Sequence, residues 1–138
     1  MVITDELRLD TEGNCDILDI TSQVGDAVRA SGLRDGIVTV FCPGSTGGLS
    51  TIEYESGALH DLERTLDQIA PPDREYRHHL RWGDDNGHSH VRGAMIGPSL
   101  TVPFADTELT LGTWQQIVFL DFDTRPRSRR LVLQIIGE

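Results

Sequence analysis

The sequence predicts an α+β fold: a single sandwich-like domain of antiparallel sheet carrying two main helices. Runs rich in Val, Ile, Leu and Phe recur at strand length, most densely in the second half of the chain. Only two segments space their apolar residues as helices do, one around Val24–Val28 and one from Leu59 to Ile69. The regular strand–helix alternation that a parallel sheet requires is missing. With 138 residues and no linker rich in Pro, Gly or Ser, residues 1–138 read as one cooperative domain.

Val2 to Leu9 alternates loosely and predicts the first strand, while Ile17 and Ile20 form a short extended approach to a helix starting near Thr21 or Ser22. Val24, Ala27 and Val28 give that helix its apolar face, and Gly32 stops it. Ile37-Val38-Thr39-Val40-Phe41 has the β-branched and aromatic content of a buried strand, ended by Cys42-Pro43-Gly44. A further strand is expected from Leu49 to Tyr54. Leu59, Leu62, Leu66 and Ile69 then define a helix that Pro71-Pro72 prevents from continuing. Beyond it, Val91–Ile96, Leu100–Val102, Ile117–Phe122 and Leu131–Ile136 read as strands, punctuated by Gly97-Pro98 and Arg125-Pro126.

The formal net charge of −10 argues against a nonspecific nucleic-acid or anionic-membrane surface. All 12 basic residues are arginine. Lysine chemistry, from Schiff bases to the lysine of a Walker loop, is therefore excluded within this chain. Small anions can still be met by a local arginine cluster. Cys15 and Cys42 do not make a disulfide framework and read as reduced thiols. The opening residues lack the basic start and apolar run of a signal peptide, and no apolar stretch reaches spanning length, so a cytoplasmic location is the default expectation.

Four of the five histidines lie between Tyr76 and His90, in Tyr76-Arg77-His78-His79 and Asp84-Asp85-Asn86-Gly87-His88-Ser89-His90. If the second segment is extended, alternation points His88 and His90 to one face, and neutral imidazoles converging there can grip a divalent ion. His78, His88 and His90 are the expected metal ligands, with zinc the first expectation and one coordination position open. Glu53 and Glu55 would share one face of their strand, and Glu53 or Asp85 could serve as general base, with Asn86 and Gln115 offering carboxamides to the pocket. Gly44-Ser45-Thr46-Gly47-Gly48 could present backbone N–H groups and the Ser45 and Thr46 hydroxyls to a phosphate, which Arg127 could meet bidentately. No Ser-His-Asp order or nucleophile elbow is present.

Three stretches together resemble the YjbQ-like family, often described as secondary thiamine-phosphate synthase: Gly44-Ser45-Thr46-Gly47-Gly48-Leu49-Ser50-Thr51-Ile52-Glu53-Tyr54-Glu55, then Asn86-Gly87-His88-Ser89-His90, then Gly97-Pro98-Ser99-Leu100-Thr101-Val102-Pro103. Leu111-Gly112-Thr113-Trp114-Gln115-Gln116-Ile117, Arg125, Arg127 and the terminal Gly137-Glu138 extend the likeness over nearly the whole chain. The resemblance implies a compact α+β subunit, usually in a homotrimer, with histidines near a subunit boundary. It also implies joining of a hydroxymethylpyrimidine pyrophosphate to a thiazole phosphate as a side activity. Many members begin the first motif with histidine, where this chain has Gly44. Metal-assisted hydrolysis, of a phosphate ester or an amide, and a non-enzymatic, trimeric metal- or ligand-binding role are the alternatives.

Overall fold

The computed structural model describes all residues, Met1–Glu138. Two antiparallel sheets are stacked on each other, with one helix packed into the core they share and another covering the far side of the smaller sheet. The larger sheet orders its strands β1 (Val2–Thr11), β8 (Arg127–Gly137), β3 (Gly36–Phe41), β5 (Ser99–Ala105) and β6 (Glu108–Leu109). In the smaller sheet β7 (Gln116–Asp121) lies between β2 (Asp16–Asp19) and β4 (Gly47–Ile52).

Strand β7 explains the layering. Its unbroken run Ile117-Val118-Phe119-Leu120 is fully buried on both faces, so alternate residues enter different cores. Ile117 and Phe119 face the larger sheet, packing with Val38, Val40, Leu131, Leu133 and Ile135 and with Val24 and Val28 of helix α1 (Thr21–Ser31). Val118, Leu120 and the following Phe122 face the other way, onto Leu66 of helix α2 (Ser56–Ile69). Gly32 ends α1 in the left-handed conformation, as expected of a C-terminal glycine.

The middle of the chain departs from expectation. Residues 91–96 are not a strand but the body of helix α4 (Gly87–Ile96), and a short helix α3 (Arg77–Trp82) precedes it. Gly87, His88, Ser89, Arg92 and Gly93 are the buried positions of α4, a helical spacing made of small and polar residues. An apolar pattern could not reveal it. The strand expected to reach Tyr54 stops at Ile52, and Glu55 instead caps α2, accepting the N–H groups of Gly57 and Ala58 at 2.8 Å each. Those two bonds, Ala58 first, hold the Glu55 carboxyl below the usual carboxylate range. Glu53 and Glu55 thus do not share a strand face.

At Gly47 a methyl group would sit 2.8 Å from the Phe119 ring and 3.2 Å from Cys42 Sγ. Gly47→Ala is expected to overpack this junction and lower stability by about 1–3 kcal/mol, measurable by urea denaturation. Both cysteines are buried and unpaired, in separate cores. Burial, reinforced by Glu63, pushes the Cys15 thiol up to about 11, and burial likewise raises Cys42, so neither supplies a thiolate nucleophile. No helix is long and apolar enough to cross a membrane.

A candidate anion and metal pocket

Where β7 ends and β8 begins, alternation places polar side chains under the loop that joins β3 to β4. Asp121, which is wholly buried, meets Arg129 in a bidentate pair, Nε to Oδ2 and Nη2 to Oδ1, both 2.8 Å. Thr11 adds its hydroxyl to Oδ2 at 2.6 Å, and the Asp123 N–H donates to Oδ1 at 3.0 Å. Burial alone would raise the Asp121 carboxyl, but these donors outweigh it and hold it low; in turn the carboxylate raises Arg129. Arg129 also donates to Thr46 Oγ1 at 2.8 Å, and that hydroxyl donates to Asp123 at 3.1 Å. Thr46 is therefore held from two sides.

Above this network opens a cavity of about 560 Å³ lined by polar and charged residues together with Pro43 and Gly44. Gly44, Ser45 and Thr46 come from the β3–β4 loop, Asp123, Thr124 and Arg125 from the β7–β8 turn, Arg127 and Arg129 from the start of β8, Asp84 and Asn86 from the loop before α4, and His90 from its first turn. Arg127 stands 3.7 Å from Asp123 and keeps about a third of its side chain exposed. A methyl group on Gly44 would come within 3.3 Å of Arg129 Nη1. With glycine at position 44, no side chain from the loop stands against this corner of the guanidinium.

On the α4 side, the rings of His78 and His90 are 4.3 Å apart, and His78 Nδ1 is 3.2 Å from Asp84 Oδ1. That nitrogen is buried without a hydrogen bond, as is Asn86 Oδ1. His78, His79 and Asp84 each bring one ligand atom within 4.8 Å of the others. Burial first, then His78, lowers the pKa of His90, leaving its imidazole neutral at pH 7. Imidazole rings beside a carboxylate are chemistry suited to a divalent cation.

The fold thus gathers Ser45, Thr46, Asn86, His90 and Arg127, with His78 behind His90. It separates His88: because 87–96 is helical, residues two apart diverge by about 200°, and His88 lines a different cavity with Asp85. The extended-chain argument that joined His88 to His90 is corrected on that ground. Glu53 is exposed beyond the end of β4 and does not line the pocket. Gln115 lies elsewhere too, accepting from the Gly112 N–H at 3.0 Å and donating to Thr51 at 3.2 Å. Sequence reasoning passed over Asp121, Asp123 and Arg129. The signal was there in Asp121-Phe122-Asp123, where carboxylates interrupt a buried apolar run, and in Arg127 and Arg129 one strand alternation apart.

Two stacked antiparallel sheets with flanking helices place the chain among small α+β proteins of sandwich-like architecture. Residues 5–138 match the family described as UPF0047 protein YjbQ-like, and the chain belongs to that family. It is 39% identical over 137 residues to a UPF0047 protein of Methanothermobacter thermautotrophicus, covering 99% of this chain and 94% of the relative. Identity to a UPF0047 protein of Archaeoglobus fulgidus is 37%, over 95% of this chain and 99% of that one. Among solved structures, a YbjQ-like protein of unknown function from Sulfolobus solfataricus superimposes with a TM-score of 0.94 at 30% identity, covering 100% of this chain and 99% of that one. A hypothetical protein from Aeropyrum pernix gives 0.91 at 29%, covering 99% of each.

Proposed function

We propose that the pocket binds phosphorylated small molecules and transfers a pyrimidine group between them, as the secondary thiamine-phosphate synthase activity implied by the resemblance requires. The observation that carries this reading is the convergence of Arg125, Arg127 and Arg129 with the Ser45 and Thr46 hydroxyls on one polar cavity. Arginine forks match phosphate oxygens, and Arg129 is already oriented by Asp121, so little order is lost on binding.

In the proposed reaction, the thiazole nitrogen bonds to the pyrimidine methylene carbon as that carbon's bond to the pyrophosphate oxygen breaks. The electron pair leaves with pyrophosphate. Arg127 and the open corner of Arg129 offset the charge that gathers on it, in a site that orients both reactants. His78 and Asp84, with Nδ1 and Oδ1 3.2 Å apart, and His90, whose ring lies 4.3 Å from that of His78, are the residues that would hold a divalent ion, zinc first, because imidazole and carboxylate are its donors. Such an ion would add positive charge beside the departing pyrophosphate.

A homotrimer is part of this proposal. Across the outer face of the larger sheet, Val2, Ile136, Ile37 and Pro103 are paired in one row and all are exposed. Burial of that row against other copies of this chain would remove an apolar surface from water. Light scattering of the purified protein is expected to give a mass close to three chains; a monomer would reject the assembly.

The test of function is direct. Untagged protein supplied with hydroxymethylpyrimidine pyrophosphate, thiazole phosphate and zinc is expected to release thiamine phosphate and pyrophosphate in equal amounts. No product above an enzyme-free control would reject the transfer.

A further inference from the structure

We infer that His88 is the centre of a second cation site, separate from the His78–His90 pair, that takes a divalent transition-metal ion. The site is a second cavity, again of about 560 Å³, which shares only Thr124 with the first. Asp73, Glu75, Asp85 and His88 line it, together with His79, which stands between it and the His78–Asp84 group.

Charge divides the two cavities. The first carries three guanidinium groups against Asp84 and Asp123, whereas the second sets three carboxylates against Arg74 alone. Arg74 is turned away from a competing role, since it donates to the Ile69 carbonyl at 3.0 Å and lies over the Tyr76 ring. Adjacent carboxylates are shared out between the cavities, with Asp84 lining one and Asp85, in the left-handed conformation at φ 52°, lining the other. An anion is drawn to the first cavity and a cation to the second.

His88 supplies the independent observation. Its side chain is 4% exposed, and its buried Nδ1 has no hydrogen-bond partner. A buried polar atom left unpaired costs stability, and a role at a ligand site accounts for its retention. An imidazole on a cavity wall that also carries Asp73, Glu75 and Asp85 offers a transition metal nitrogen and oxygen donors, and water can fill the remaining positions.

This inference does not rest on the transfer reading, and its test involves no turnover. Untagged protein is dialysed to equilibrium against Zn²⁺, and the ring nitrogen signals of the histidines are followed by NMR. Wild type is expected to bind one equivalent more than His88→Asn, and Asp85→Asn to bind that equivalent at least tenfold more weakly. In the His78→Ala/His90→Ala double variant, where His88 is intact, the His88 ring signals should still shift on adding Zn²⁺. Equal stoichiometry in wild type and His88→Asn, or His88 signals that do not move in the double variant, would overturn the site.

Discussion

Asp121→Ala is expected to destabilise the protein by about 3–5 kcal/mol, because it strands the Arg129 guanidinium in the interior with its carboxylate gone. Urea denaturation monitored by circular dichroism would read this as a lower midpoint at unchanged slope. The pair is a device for holding Arg129 rather than a net source of stability. Replacing both partners by apolar residues of similar size, as in Asp121→Leu/Arg129→Met, should therefore recover much of the loss while removing an anion contact from the pocket. The pH dependence follows from the depressed folded pKa of Asp121. Its contribution is fully present above the ordinary carboxylate value of about 4, and is lost as pH falls through the lower folded value. Wild type should lose more stability between pH 4 and strongly acid solution than the double variant does.

His90→Ala is expected to lower thiamine-phosphate formation by about 100-fold or more, the scale on which a positioned imidazole contributes. It lines the cavity, stands against His78, and is neutral at pH 7, so it loses a ligand or proton-handling group from beside the arginines. Gln115→Ala provides the contrast. Its amide is committed to Gly112 and Thr51, away from the pocket, and its turnover should change little within one chain. An undiminished rate in His90→Ala would remove the histidine from the reaction.

Much of the fold is legible because β7, β8 and β3 carry apolar residues at strand spacing, and α1 and α2 at helical spacing. The order of strands is not, since it depends on which faces meet in three dimensions. The chief misreading, Val91–Ile96 as strand, arose where burial is carried by Ser89, Arg92 and Gly93: Ser89 donates to the Phe122 carbonyl, and Arg92 donates to the Ala70 carbonyl at 3.0 Å and to Asp67 at 2.8 Å. Polar packing of that kind leaves no hydrophobic period to read. The same error displaced His88, since alternation would join it to His90 and a helix parts them. Ser45, Thr46 and Arg127 were legible as anion-binding residues from their chemistry, whereas Arg129 was hidden among the arginines of a turn and only its bond to Asp121 distinguishes it.

Calorimetric titration of the untagged, metal-loaded protein with inorganic pyrophosphate tests the pocket most directly, since it asks for anion recognition without asking for turnover. Saturable binding of one pyrophosphate per chain is expected, weakened at least tenfold in Arg127→Gln and by added salt. Wild type that takes up no pyrophosphate, or Arg127→Gln that binds it as tightly, would contradict the account.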